Sequence, residues 1–440
     1  MPTSNAHHKT IGLHTAASIA IANMVGTGVF TSLGYQVVDI QSVFALIMLW
    51  IVGGIIALCG ALSYGELGTA LPRSGGEYHL LTAIYHPAMG FLSGWVSATA
   101  GFVAPTAIAA IALGKYTAVV FPSVPVNHLA AVVVIVFAVI HSISIRLGSY
   151  FQNFFTLIKI GVMLIFIFFG FTTNTPQSIS LLPEFSDWKV LLSPPFAVSL
   201  VYVSYAYTGW NASIYVVGEL RNPQKNLPKA LFLSTLLVLV LYALLNYVFL
   251  YTVPMAELAG KVEIGFLAGN KLFGTTAADV LSLLIAALMI STISAMIFVG
   301  ARITQVMGED YPALHLLSLR TVRHTPVNAI LFQTLITLIF IYTSSFEQVI
   351  VYAAFTLMLL TTLTVAGVYV LRWRRPDLPR PYKTWGYPFT PALFLLANTW
   401  IMIYVLIERP LESCIGLGII AAGALIYFIN SRMAMKKASE

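Results

Sequence analysis

Ile19-Ala20-Ile21-Ala22-Asn23-Met24-Val25-Gly26-Thr27-Gly28-Val29-Phe30 is an apolar run interrupted near its midpoint by two glycines around a threonine. Glycine in a helix interior costs about 1 kcal/mol relative to alanine, and two together favour local unwinding. Taken alone, the stretch has two readings: close helix packing through small residues, or a break in a membrane-spanning helix.

A second stretch of the same kind favours the break. Tyr202-Val203-Ser204-Tyr205-Ala206-Tyr207-Thr208-Gly209-Trp210-Asn211-Ala212-Ser213 again sets a glycine with polar neighbours, Thr208 and Asn211, in the middle of an apolar run. Working outward, runs of the roughly 20 residues needed to cross a hydrocarbon core recur at 11–36, 41–66, 88–119, 127–146, 150–173, 195–220, 229–253, 277–306, 327–343, 347–372, 388–407 and 411–431. Hydrophobic residues are 58% of 440 and charged residues 9%, with a mean hydropathy of +0.87; soluble domains carry about 25% charged residues. The alternating segments of about ten residues that mark a membrane barrel are absent. The expected fold is an all-α polytopic membrane protein of about twelve transmembrane helices.

The first and sixth helices hold corresponding places if residues 11–174 (helices 1–5) and 195–373 (helices 6–10) are two copies of one fold, with two extra helices in 388–431. An odd number of spans per copy makes the copies inverted in the membrane. Paired broken helices in matching places of two halves point to a transporter's midplane binding site.

Charge orients the bundle. Lys9, Arg73, Arg146, Arg221, Lys225, Lys229, Arg302, Arg320, Arg323, Arg372, Arg374, Arg375, Arg380, Lys383, Arg432, Lys436 and Lys437 fall on one side. The other holds Lys115, Lys189, Lys261, Lys271 and Arg409, and most of the acids. By the positive-inside rule the tails 1–10 and 432–440 are both cytoplasmic, in a plasma (inner) membrane. The net charge of +7 is thus a topology signal and implies no nucleic-acid partner. The first ten residues are too short and polar for a cleaved signal peptide. Cys59 and Cys414 lie inside apolar runs, so no disulfide framework is expected. No Cys/His cluster calls for a metal, and no cofactor motif is present.

At a helix break the downstream half exposes N–H groups and a positive dipole end, the upstream half C=O groups and a negative end. Gly26, Thr27 and Gly28 make an anion site; carbonyls around Met24, Tyr205 and Thr208 make acceptors for an ammonium group. An α-amino acid carries both charges on one carbon. Backbone groups at membrane depth are tolerated only where protein or a cavity satisfies them, and a bound zwitterion does that. Tyr205 and Trp210 flank the second break and are the candidate gates.

Lys159 is the one basic residue that cannot be placed near an interface. Counted from Gly148, it lies roughly 16 Å into the membrane, too deep for its stem to reach water. Intramembrane ionisable residues are functional candidates by default. One alternative is a lysine along a water-filled vestibule. The other is an amine in a sodium-sized position, bridging helix-end carbonyls or carrying a transported proton. No Asp or Glu falls mid-span, so a side-chain amine on a substrate would lack a carboxylate and neutral substrates follow. Glu66 and Glu219, at the cytoplasmic ends of the second and sixth runs, are expected to contact arginines such as Arg73 and Arg221. A channel would want a ring of repeated filter residues, and an enzyme convergent His, Asp or Cys; neither is present.

These motifs resemble the amino acid–polyamine–organocation superfamily, and its prokaryotic L-type amino-acid transporters in particular. Gly26-Thr27-Gly28-Val29-Phe30 is similar to the family's Gly-Ser-Gly-Ile-Phe. Gly60 through Gly68, followed by Leu71 through Tyr78, resembles its second helix and the loop after it. Tyr205 through Asn211 resembles its Phe-Ala-Tyr-Gly-Gly-Trp-Asn, and Glu219–Pro228 and Pro376–Pro388 also match. The resemblance implies a five-plus-five inverted repeat plus two helices, and alternating access about helices 1 and 6. It also implies substrate carboxylate at Thr27 and Gly28, amine at main-chain oxygens of Met24, Tyr205 and Thr208, Tyr205 as gate and Asn211 nearby. Lys159 matches the family lysine that replaces sodium, with Ser291 and Ser294 as its expected neighbours. Thr27 stands for serine, Tyr205 for phenylalanine and Thr208 for a glycine, which narrows the pocket toward small or medium side chains. Eukaryotic L-type subunits join a glycoprotein through a cysteine between helices 3 and 4. Phe121–Asn127 has none, so no disulfide-linked heavy subunit is expected. The expected function is a sodium-independent exchanger or facilitator of neutral α-amino acids, with a proton-coupled symporter as the alternative.

Overall fold

The computed structural model describes residues 11–143, 149–320 and 325–439, with the side chains of 149–153 and 433–439 left aside. The expected tail 1–10, Arg146 and Arg323 lie outside the described residues, as do the side chains of Lys436 and Lys437. Among the described residues the chain is helical with no strand; its one bridge pairs Ile11 with Leu220. Ten helices among the described residues are long and apolar enough to cross a membrane. An eleventh candidate is the bent pair Phe185–Leu191 and Pro194–Glu219, turned by 62°. The expected ninth span is the shorter apolar helix Val327–Thr343. The protein is a multi-pass helical membrane protein.

The outward faces explain why. On the fourth span, Val126–Ile143, the exposed residues Val132, Ile135, Val136 and Val139 follow helical spacing and form an apolar stripe. The fifth, Ser149–Phe171, exposes Phe154, Leu157, Leu164 and Phe168. Such stripes are untenable in water and ordinary in lipid. The inward faces are small: Ala104, Ala107, Ala109, Ala110 and Ala112 of the third span are fully buried where it packs on the eighth, Thr275–Asp310. Small residues let backbones approach closely in membranes.

Both helices that carry the interrupted motifs are broken. The first stops at Met24 and resumes at Gly28. The sixth, Pro194–Tyr207, stops at Thr208 and continues as a 3₁₀ segment, Ala212–Glu219. The seventh span, Pro223–Thr252, packs along the first and second, which places its middle beside both breaks.

Candidate functional site

Val25 ends the first helix by leaving helical backbone (φ −73°, ψ 84°), its N–H still bonded to Ile21 O at 2.8 Å. Thr27 caps the restart at Gly28, which runs through Ser32 into Leu33–Asp39. The restart leaves leading amides without intrahelical acceptors. In the sixth helix Thr208 turns extended (φ −52°, ψ 133°) and Gly209 takes φ +106°, a conformation open to glycine and strained for other residues.

The two breaks interlock. A Cβ on Gly28 would sit 2.7 Å from Ala206, and a Cβ on Gly209 would sit 2.7 Å from the Asn23 Cβ. Each break thus presses its glycine against the other broken helix. Gly26 differs: a Cβ there would meet only Met24 O, at 3.8 Å. The space beside Gly26 is open, in a region where Thr27 and Tyr205 are only 3% and 7% exposed.

The carbonyls at the break are partly engaged. Tyr242 of the seventh span donates its hydroxyl to Met24 O at 2.6 Å and stands 3.3 Å from Ala206 O, so one side chain holds the upstream ends of both breaks. Tyr205 O accepts the Thr208 N–H at 3.0 Å, and Ser204 O accepts the Thr208 hydroxyl at 3.1 Å. A carbonyl oxygen has two lone pairs, so Met24 and Tyr205 keep acceptor capacity. The Thr27 side chain faces the Tyr205 phenol.

The remaining expected residues divide. The Trp210 ring packs among Gly60, Tyr64 (4.7 Å between centroids) and Phe394 (6.1 Å), between the second span, Val43–Ala70, and the helix Phe389–Glu408. Lys159 is buried, and its amine donates to Thr292 Oγ1 at 2.9 Å. No carboxylate lies within salt-bridge distance of it among the described residues. The hydroxyl that meets Lys159 thus falls between the two expected neighbours. Ser291 donates to its own helix at Leu288 O, 2.9 Å, and Ser294 pairs with His141 Nε2, also 2.9 Å. Thr292 and Ser294 are two residues apart and so point about 200° apart on the helix; nearly opposite faces of the eighth span serve Lys159 and His141.

Sequence reasoning missed two residues. Tyr242 is one of 21 tyrosines and carries no motif. Glu77 follows an apolar run and reads as loop, yet it sits buried in the helix Gly76–Ile84. It accepts from Tyr64 Oη at 2.7 Å, Asn211 Nδ2 at 2.6 Å and Tyr215 Oη at 3.0 Å. Burial raises its pKa, opposed by these three hydrogen bonds. A carboxylate therefore does reach the second break, though its acceptors are engaged by three donors.

The expected pairing of Glu66 is corrected. Its partner is Arg372 at the end of the tenth span, Phe346–Arg374, bound through Nε at 2.8 Å and Nη2 at 2.7 Å. Arg380 at 3.6 Å and the Thr384 N–H at 2.7 Å complete the shell. The loop after the tenth span folds back over the end of the second, which hydropathy alone does not register. Glu219 is exposed, and its carbonyl accepts the Ile11 N–H at 3.1 Å.

Separate contacts close the two ends. On the face bearing Arg73, Arg221 and Arg372, Ile11 bonds Glu219 and Arg221, and Ser213 donates to Ala16 O at 2.8 Å. On the opposite face Tyr35 stacks between Tyr202 (5.8 Å) and Phe346 (6.0 Å). There Glu347 accepts from Tyr202 and Arg409, each at 2.6 Å.

Two interlocked helix breaks deep in a multi-pass bundle, with distinct closures at either end, define a membrane carrier. Residues 11–429 match the family model described as amino acid permease. The chain belongs to that family, whose members are transporters and not enzymes. Among its relatives, the large neutral amino acids transporter small subunit 2 of Mus musculus is 31% identical over 434 residues, covering 96% of this chain and 81% of the relative. The Homo sapiens protein of the same name is 30% identical over 434 residues (96% and 80%). The b(0,+)-type amino acid transporter 1 of Homo sapiens is 29% identical over 439 residues (97% and 89%).

Proposed function

We propose that this chain is a sodium-independent carrier of neutral α-amino acids, an exchanger or facilitator working by alternating access in a plasma membrane with both termini cytoplasmic. The observation that carries the reading is the interlock of the two breaks, Gly28 on Ala206 and Gly209 on Asn23, around open space at Gly26. The restart at Gly28 offers amides to a carboxylate, and Met24, Tyr205 and Thr208 offer oxygens to an ammonium group. Breaks in matching places of residues 11–174 and 195–373 support two inverted copies that rock about the site. Lys159 supports sodium independence: its buried ammonium, held by Thr292 of the eighth span, supplies the charge an ion would bring. The relatives named for large neutral amino acids favour neutral substrates, and Thr208 in the second break favours small or medium side chains.

The name "small subunit" in some relatives places those proteins beside a larger one. We infer that this chain forms no disulfide-linked pair, since 121–127 has no cysteine, Cys59 is buried, and the exposed Cys414 lies within the last apolar helix, Pro410–Ser439. A proton-coupled symporter remains the second reading, supported by the absence of a carboxylate partner for Lys159 among the described residues. The test is uptake of radiolabelled neutral amino acids into proteoliposomes, preloaded or empty, with sodium and the pH gradient varied. Uptake confined to preloaded vesicles and indifferent to both gradients supports exchange. A proton-gradient requirement selects the second reading, and a sodium requirement refutes the role given to Lys159.

A further inference from the structure

Glu77 is a titratable group enclosed by protein that the transport reading does not use. It lies on the short helix Gly76–Ile84, which starts after two glycines with positive φ, Gly75 (+126°) and Gly76 (+56°). A Cβ on Gly76 would fall 2.3 Å from the Tyr215 ring, so this turn is pressed directly against the 3₁₀ segment that continues the sixth helix. The Glu77 carboxylate then collects one donor from the second span, Tyr64, and two from the sixth, Asn211 and Tyr215. No Lys or Arg pairs with it among the described residues.

An ionised carboxylate only accepts hydrogen bonds. Facing it, Asn211 must present Nδ2, which fixes the otherwise ambiguous amide with Oδ1 pointing away from Glu77. Asn211 is the residue from which the 3₁₀ segment restarts, and its own carbonyl takes the Ile214 N–H at 3.0 Å. Orientation of this amide and geometry of the restart are therefore set together.

We propose that Glu77 is a positioning residue for the amino-acid site: it fixes the Asn211 amide at the second break and ties the loop helix to that break. The inference rests on the reading that substrate occupies the space between the breaks. Its consequence is that the three bonds at Glu77 must be released before the inner half of the sixth helix can swing and open the site toward the basic face.

The test is equilibrium binding of radiolabelled L-alanine and L-leucine to the purified full chain, alongside thermal melting. Glu77→Gln preserves shape and removes the charge that dictates the amide's orientation. Loss of one charge-assisted hydrogen bond should weaken binding by about 10-fold. Asn211→Ala should weaken it similarly, and the double variant no further than the weaker single one. Tyr215→Phe removes only the bond to the other carboxylate oxygen and should leave affinity within about 2-fold, because Asn211 stays held. Additive losses in the double variant, unchanged binding in Glu77→Gln, or an equal loss in Tyr215→Phe would overturn the proposal, the last by showing a role in folding alone. Should Glu77→Gln lower melting markedly, Glu77→Asp provides the second measurement: partial recovery of affinity supports positioning, and none contradicts it. A Thr27→Trp control separates the two ideas, since unaffected binding there refutes the site itself.

Discussion

Gly26, Gly28 and Gly209 are three glycines at the same two breaks, yet the structure gives them different duties. Alanine at Gly28 or Gly209 drives a methyl to within 2.7 Å of the other broken helix. Overpacking of this kind costs about 1–3 kcal/mol, with a further penalty at Gly209 for its positive φ. Both substitutions should lower the melting temperature and abolish transport. Gly26→Ala has room for its methyl, so it should melt like the parent while weakening substrate binding; equal destabilisation at all three positions would contradict the assignment of open space. Tyr242→Phe should cost about 1 kcal/mol and slow transport, since it frees Met24 O from its clamp. The glycines were legible because interior glycine is conspicuous in an apolar run. Tyr242 and Glu77 were not, because a tyrosine in a helix and a glutamate after one are unremarkable until tertiary contacts are known.

At the scale of elements, the loop after the tenth span locks to the second through Glu66, whose side chain is 2% exposed against 23% for Arg372. Removing one partner of a buried pair strands the other, at about 3 kcal/mol or more when the stranded charge is enclosed. Arg372→Gln leaves the enclosed Glu66 only Arg380 at 3.6 Å and the Thr384 N–H, while Glu66→Gln frees Arg372 but strands Arg380, whose side chain is 9% exposed. Both should lower the melting temperature, and an unchanged melt for either would refute the pairing. Both broken helices were readable from sequence because each interruption sits inside an otherwise uniform span. The partner of Glu66 was not, since Arg73 is close along the chain and Arg372 is brought near only by packing. The hydroxyl at Lys159 was missed by one residue, the usual limit when a helix face must be chosen without its neighbours.

Over the whole molecule, composition and hydropathy suffice for the multi-pass bundle, because apolar stripes of this extent have no other solvent. Sidedness is directly testable. In a chain with Cys59 and Cys414 replaced by serine, a membrane-impermeant thiol reagent applied to intact cells should label Ala259→Cys at once, and Gln224→Cys only after permeabilisation. Both positions are exposed, on opposite faces; the opposite pattern would invert the orientation. The central claim is narrower than topology: an amino acid sits between the two breaks, and Lys159 makes sodium unnecessary there. Its most direct test is equilibrium binding of radiolabelled L-leucine to the purified chain in sodium and in choline buffers, for the parent and Gly26→Leu. Equal parental binding in both buffers, lost in Gly26→Leu without a fall in melting temperature, is the expected result. Binding that needs sodium, or that survives a leucine at Gly26, would contradict it.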